Sequence, residues 1–172
     1  CDTGCVMRRE GDVMKFANIL VPFDNSEHAQ SALRIALDLV GDEASAELHV
    51  ITVLPTATLA ATYDASGNPL ARSALRFANY DVYENVMGSI LSNAKEELLD
   101  SIGDALDEVS CSVTVEAVVS ASPADGITEY AEDHTCDLIV MGRRGLGALR
   151  GMLGSVSYAV LRNADMPVLT VK

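Results

Sequence analysis

The chain contains no tryptophan, and aromatic residues make up only 5% of it. Because 49% of the 172 residues are nevertheless hydrophobic, the core must be built mainly from alanine, valine, leucine and isoleucine. These residues are the usual filling of a parallel sheet that is covered by helices. The length is enough for one well-buried domain and too short for two, so we expect a single domain.

Positive charge is also scarce. Only 12 lysine and arginine residues oppose 25 aspartates and glutamates, which gives a formal net charge of -13. Non-specific nucleic-acid binding depends on cations that neutralise phosphates, so the composition argues against a nucleic-acid partner. It argues equally against an anionic membrane surface, and no apolar run approaches the roughly 18 residues that a membrane span needs.

Metal-binding and disulfide patterns are missing as well. The four cysteines, Cys1, Cys5, Cys111 and Cys136, contain no C-x-x-C pair. His134 is the only histidine close to one of them, and together with Cys136 it makes at most two ligands, which is too few for a zinc site. We therefore expect no metal site and interpret Cys111 and Cys136, which flank apolar strands, as small buried residues.

The first 13 residues, CDTGCVMRREGDV, differ in character from the rest and lack the hydrophobic stretch of a signal peptide. We expect residues 1–13 to be a non-native or disordered extension and Met14 to be the natural start. Residues 14–172 then form the single domain. With no targeting segment in view, we expect a cytoplasmic protein.

Neither of the two best-known phosphate motifs occurs. The P-loop pattern G-x-x-x-x-G-K-[ST] is missing, and the dinucleotide pattern G-x-G-x-x-G fails because Arg150 stands at its third glycine position. A different loop is present, MGRRGLGALRGMLGS at 141–155, with five glycines and three arginines. It follows an apolar run at 136–142 and precedes a predicted helix, a place where backbone N–H groups and the helix dipole favour anions.

The apolar pattern predicts nine regular elements along the chain. Strands are predicted at 18–24, 46–54, 112–120, 136–142 and 167–171, and helices at 26–40, 81–109, 123–134 and from Ser155 onward. Asn25 or Ser26 is expected to cap the first helix and Ser155 the last. Residues 55–80 are interpreted as a long excursion. The order predicts an open, doubly wound, mostly parallel five-stranded α/β sheet of Rossmann-like type, with helices on both faces.

Four segments together resemble the universal stress protein family over nearly the whole of 14–172. They are ILVPFDNSE, LHVITV, SPADGITEYAEDHTCDLIVMG and GSVSYAVLRNADMPVLTVK. Nucleotide-binding members of that family carry G-x2-G-x9-G-[ST], and Gly142, Gly145, Gly154 and Ser155 are similar to its landmarks. Only eight residues separate Gly145 from Gly154 here, one fewer than in the family pattern.

The resemblance implies roles for individual residues around ATP or another adenine nucleotide, with or without Mg²⁺. Pro22 and Asp24 would lie beside the ribose and adenine, Val50 would offer its backbone to the adenine, and Met141 and Gly142 would line base and sugar. Gly145, Gly154, Ser155 and Val156 would meet the phosphates, with Arg143 and Arg144 as further phosphate contacts. The alternative role for Asp24 is to cap the first helix. The family resemblance also implies a homodimer that pairs through the final strand, Val168 to Val171.

The function predicted from the sequence is that of a nucleotide-binding regulatory protein in stress response. No residue of the glycine-rich stretch is an obvious general base, so we expect slow or no hydrolysis and assign no catalytic residue. Two alternatives remain open: a dimeric interaction module that has lost nucleotide binding, which the short spacer favours, and a weak ATPase.

Overall fold

The computed structural model of the chain describes residues 16–59, 80–107, 109–146 and 152–172. Its strands are β1 (Asn18–Pro22), β2 (Glu47–Pro55), β3 (Ser112–Ser120), β4 (Leu138–Gly142) and β5 (Val168–Val171). Its helices are α1 (Glu27–Val40), α2 (Thr56–Leu59), α3 (Tyr80–Ile102), α4 (Pro123–Asp133) and α5 (Ser155–Asn163), and a short 3₁₀ helix covers Gly103–Leu106. None of the described helices is long and apolar enough to cross a membrane.

The five strands form one parallel sheet in the order β3-β2-β1-β4-β5. The chain thus builds the sheet outward from β1 in one direction, then returns to the other side of β1 with β4. This is the predicted doubly wound α/β arrangement, and its switch of direction opens a crevice between the carboxyl ends of β1 and β4.

Alternate residues of the central strands point into two separate cores. Ile19, Val21 and Val140 pack with α1 and α3 on one face of the sheet. Leu20 and Ile139 pack with α4 and α5 on the other face. Because β1 and β4 are covered on both faces, their residues form the continuous apolar runs that the sequence shows.

The ends of the elements agree with the prediction to within one or two residues except at the end of α3, and the cap of the last helix differs from the predicted one. The long helix predicted to reach Val109 ends at Ile102, because Gly103 adopts a φ of +57° and the chain continues as a 3₁₀ turn. The cap of the last helix is Gly154, not Ser155: Gly154 is extended, its carbonyl accepts from Tyr158 N–H at 2.9 Å, and Ser155 is the first helical residue.

The segment at 55–80 is only partly described. Pro55 ends β2, a four-residue helix follows at Thr56–Leu59, and α3 begins at Tyr80. The remainder of the predicted excursion, 60–79, lies outside the described residues, as do residues 1–13 of the predicted extension.

Candidate functional site

A cleft of about 590 Å³ opens at the carboxyl ends of β1 and β4, where the direction of the sheet switches. Its volume is within the range of small-molecule sites. Its walls come from the ends of β1, β2 and β4, from α4, and from both ends of the glycine-rich stretch. Its lining includes Pro22, Asp24, Val53, Ile127, Met141, Gly142, Arg144, Gly145, Ser155 and Val156.

Asp24 stands where β1 gives way to α1, and its carboxylate is held by Ser26. The Ser26 hydroxyl donates to Asp24 Oδ1 at 2.6 Å, and the Ser26 N–H donates to the same oxygen at 3.2 Å. Ser26 is also the N-cap of α1, since its Oγ accepts from Ala29 N–H at 3.2 Å. Asp24 is therefore not the cap of the helix; it accepts hydrogen bonds from the residue that is.

Gly145 gives the Asp24 carboxylate room on the other side. A Cβ built on Gly145 would overlap Asp24 Oδ2, so only glycine fits beside this side chain without displacing it. Gly142 is restricted more severely, because its Cβ would lie 2.9 Å from the His28 backbone carbon. Two of the glycines in the predicted motif are therefore needed for close packing: Gly142 packs against α1, and Gly145 packs against Asp24.

Backbone and side-chain hydrogen bonds close the base of the glycine-rich stretch. Gly154 N–H donates to the Arg143 carbonyl at 2.9 Å, and the buried Ser157 hydroxyl donates to the Gly142 carbonyl at 2.9 Å. Arg143 N–H in turn donates to the Val171 carbonyl at 2.7 Å, which continues the ladder to β5. These bonds hold the end of β4 and the start of α5 next to each other, so the two ends of the glycine-rich stretch are fixed.

The amino terminus of α5 faces the cleft with unused donors. The first three N–H groups of a helix have no carbonyl to bond within it, and here they belong to Ser155, Val156 and Ser157. Ser155 and Val156 line the cleft, and the exposed Ser155 hydroxyl stands beside them. An anion at this point would meet both hydrogen-bond donors and the positive end of the helix dipole.

Most of the residues predicted from the sequence line this one cleft. Val50, which was predicted to offer its backbone to the adenine, is not among the lining residues, whereas its neighbours Ile51 and Thr52 are. Arg144 lines the cleft, whereas Arg143 does not. Gly154 lines it too, but its N–H already serves the Arg143 carbonyl and is not available to a phosphate.

Sequence reasoning missed two groups of site residues. Val53 from β2 and Ile127 from α4 form an apolar wall. The only signal for them was their position near the carboxyl end of a strand and on the first turns of a helix that follows one. Ser26 was identified as a possible cap, yet nothing in the pattern predicted its bond to Asp24.

Charges in the cleft are few. Among the described residues that line it, the titratable side chains are the carboxylate of Asp24 and the guanidinium of Arg144. The described residues contain no group of three or more histidines, cysteines or acids arranged to hold a metal ion. The described lining therefore combines one carboxylate, one guanidinium, backbone donors and an apolar wall, a set suited to a polar ligand with both an anionic and an apolar part.

The chain is similar in sequence to known proteins over most of its length. The model of the universal stress protein family matches residues 15–172. The universal stress protein YxiE of Bacillus subtilis is 31% identical over 160 residues, which cover 91% of this chain and 99% of that protein.

Solved structures are similar over almost the whole chain. One is the structure of the hypothetical protein MJ0577 of Methanocaldococcus jannaschii, with a TM-score of 0.68 and 26% identity over 92% of this chain and 96% of that one. A universal stress protein in complex with cAMP shares the fold, with a TM-score of 0.52 and 21% identity, covering 91% of this chain and 97% of that chain.

Proposed function

We propose, since the chain belongs to the universal stress protein family, that it is a regulatory protein of the stress response that binds an adenine nucleotide in the cleft between β1 and β4. The observation that carries this proposal is the placement of Asp24 and the free N–H groups of α5 on the walls of one cleft of about 590 Å³. A carboxylate for a sugar and amide donors for a phosphate are thereby brought within reach of a single ligand.

Each part of a nucleotide has a matching wall. The base would lie on the apolar side chains of Val53, Ile127 and Met141, and the ribose hydroxyls would donate to Asp24. A phosphate would accept from the N–H groups of Ser155 and Val156 and from the Ser155 hydroxyl. Three charge-assisted hydrogen bonds of about 1.5 to 3 kcal/mol each would supply much of the roughly 8 kcal/mol that a micromolar complex requires.

The cleft supports binding better than hydrolysis. Its described lining contains no histidine, glutamate or lysine, and the carboxylate of Asp24 already accepts two hydrogen bonds from Ser26. A rapid ATPase needs a group that orients the attacking water and a group that stabilises the developing charge. Arg144 meets the second need and no described side chain meets the first, so we expect slow or no turnover, with or without Mg²⁺.

The complex of a relative with cAMP agrees with this proposal without carrying it. At 21% identity that structure supports the fold alone. The choice among ATP, other adenine nucleotides and cyclic nucleotides therefore rests on titration of this chain.

Calorimetric titration of ATP with Mg²⁺ tests the proposal, and Ser155 offers a sharp pair of variants. Ser155→Pro removes the N–H and the hydroxyl at the first helical position, where proline is well tolerated and the preceding Gly154 is already extended. Ser155→Ala removes the hydroxyl alone. We expect micromolar binding by the wild type, a modest loss in Ser155→Ala, and a loss of at least about tenfold in Ser155→Pro.

Thermal unfolding of the same three proteins serves as the control, since both variants should keep the fold. Equal affinities in all three would show that the amino terminus of α5 does not hold the phosphate. No binding by the wild type would favour the second candidate, a dimeric interaction module that pairs through the edge of β5. Metal-dependent release of phosphate at a steady rate would favour a weak ATPase.

We further propose that the protein works in the cytoplasm. Cys111 and Cys136, the cysteines within the described residues, are free and buried, as is usual in a reducing compartment.

A further inference from the structure

Ser26 is buried, with only 5% of its surface exposed, although it belongs to the amino terminus of α1. Its hydroxyl oxygen accepts from Ala29 N–H at 3.2 Å and its hydroxyl proton is directed to Asp24 Oδ1 at 2.6 Å. The Arg144 carbonyl is also near, at 3.4 Å from Ser26 Oγ. Since a hydroxyl has one proton, the shorter bond to the Asp24 carboxylate takes it.

The two oxygens of Asp24 are consequently different. Oδ1 accepts both the N–H and the hydroxyl of Ser26, whereas Oδ2 lies against Gly145 at the wall of the cleft. The terminal torsion of an aspartate is broad, so an exposed carboxylate would otherwise sample many orientations. Ser26 anchors Oδ1 and Gly145 leaves room for Oδ2, which favours this orientation of the carboxylate.

We infer that Ser26 is a positioning residue that gives the cleft its selectivity for the sugar. It fixes Asp24 so that Oδ2 is presented to the vicinal hydroxyls of a ribose, while itself remaining out of contact with the ligand. This inference rests on the proposed function. Discrimination between ribose and a sugar without hydroxyls then depends on Ser26, which contacts the carboxylate of Asp24 and not the ligand.

The experiment compares ATP with 2′,3′-dideoxy-ATP by calorimetric titration of the full chain. The wild type should prefer ATP by about tenfold or more, the value of hydrogen bonds to a charged acceptor. In Ser26→Gly the preference should fall to about threefold or less, with the affinity for dideoxy-ATP unchanged. In Ser26→Thr, which keeps a hydroxyl, the preference should be retained. Asp24→Asn should abolish it.

The variants are chosen so that folding does not decide the result. Glycine is well tolerated at an N-cap, so Ser26→Gly removes the hydroxyl, including the acceptor for Ala29 N–H, with little effect on the stability of α1. Ser122 provides a matched control: it caps α4, its Oγ accepts from Asp125 N–H at 3.2 Å, and its hydroxyl donates to the Asp125 carboxylate at 2.7 Å. Ser122→Gly should leave the sugar preference at the wild-type value.

The outcomes distinguish a failure of the inference from a failure of the proposed function. If Ser26→Gly weakens both nucleotides by the same factor, Ser26 is a structural cap only, and the inference is overturned while the proposed function stands. If the wild type binds ATP and dideoxy-ATP equally, Asp24 does not contact the sugar and the inference again fails. If the wild type binds neither, the proposed function and the inference fail together.

Discussion

His49 and Tyr130 form a polar pair on the α4 side of the sheet, toward the amino ends of the strands and away from the cleft. His49 Nδ1 lies 3.0 Å from the Tyr130 hydroxyl, which donates to Glu116 at 3.3 Å. The His134 ring stacks on Tyr130 with centroids 3.8 Å apart. Burial, and then the neighbouring His134, lower the pKa of His49 below 6.5, against the opposing effects of Glu47 and Glu116.

This lowered pKa makes the stability of the fold dependent on pH. Folding favours the neutral imidazole, whereas the unfolded chain takes up a proton near pH 6.5. The contribution of His49 is therefore complete above that pH, and it is lost as the pH falls through 6.5 toward the folded pKa. We expect the free energy of unfolding in urea to decrease over this interval.

Replacing the imidazole with a neutral amide isolates the effect. His49→Gln should give a shallower decrease between about pH 7.5 and 5.5, since one group that binds more protons when unfolded has been removed. His28→Gln, on α1 outside this cluster, is the control and should retain the wild-type slope. An unchanged slope in His49→Gln would assign the pH dependence to other groups.

Tyr130 and Cys136 complete this buried polar region. Desolvation by burial raises the pKa of the Tyr130 hydroxyl, and the charge of Glu116 adds to the effect. Burial likewise raises the pKa of the Cys136 thiol to about 11, so the thiol stays protonated and unreactive at neutral pH. The prediction of Cys111 and Cys136 as small buried residues is confirmed.

The packing of α4 on the sheet depends on a glycine. A Cβ built on Gly126 would lie 2.8 Å from Ser120 Cβ and 2.8 Å from Val53 Cγ1, so β2, β3 and α4 meet at this point without space for a methyl group. The helix begins with Ser122 and Pro123, which favour a helix start, and it buries its apolar face although Gly126 lies within it. Close approach therefore determines the residue at this position more strongly than helix propensity does.

Two glycine-to-alanine substitutions distinguish packing from propensity. Gly126→Ala should destabilise the fold by about 1 to 3 kcal/mol, because the sheet and the helix must move apart. Gly88→Ala, in α3 where nothing lies within 4 Å of the added Cβ, should instead stabilise it by about 0.5 to 1 kcal/mol. Urea unfolding of both variants measures the difference. A stabilised Gly126→Ala would mean that α4 packs more loosely than this geometry requires.

The sequence was sufficient to predict all five strands and their order of appearance, since apolar runs and turn residues report burial and chain reversal directly. The end of α3 was not predictable in the same way. Leu106 and Val109 still pack against the core, so the helical spacing of apolar residues continues past the point where Gly103 ends the helix. Apolar periodicity records which side chains are buried and does not record the φ angle of one glycine.

The same distinction holds for the site. Resemblance and the rule that ligands bind where a parallel sheet changes direction together predicted that Asp24, Gly142 and Gly145 would meet. The prediction that Ser155 caps α5 was wrong, because Gly154 and Ser155 are both favourable caps and the sequence pattern does not distinguish them. That choice depends on the bond between Gly154 N–H and the Arg143 carbonyl, a contact between the two ends of the glycine-rich stretch.

One edge of the sheet is the surface through which we expect two copies of the chain to pair. The carbonyls of Pro167 and Val171 accept from β4, so these residues direct their backbone groups inward. Because the direction alternates along a strand, Thr170 directs its N–H to the opposite, outer edge. The outer edge of β5 pairs with no other described strand.

Proline at position 170 tests the pairing. Thr170→Pro removes an outward N–H while the bonds to β4 remain, and proline is compatible with an edge strand. We expect the wild type to sediment as a dimer and Thr170→Pro to dissociate at protein concentrations at least about tenfold higher. Thr170→Val, which keeps the N–H, should behave like the wild type. Dimers of equal strength in all three would place the interface on another surface.

The position of β1 in the middle of the sheet has a consequence for biosynthesis. Ala17 N–H, just before β1, donates to the carboxylate of Asp137, 120 residues later in the chain. The Val171 carbonyl that holds Arg143 belongs to β5, the last of the five strands. A ribosome that adds about 5 to 20 residues per second releases β1 many seconds before its partner β4 exists. The cleft, whose walls include residues of β1, β4 and α5, is therefore assembled only after the ribosome has made β4 and α5.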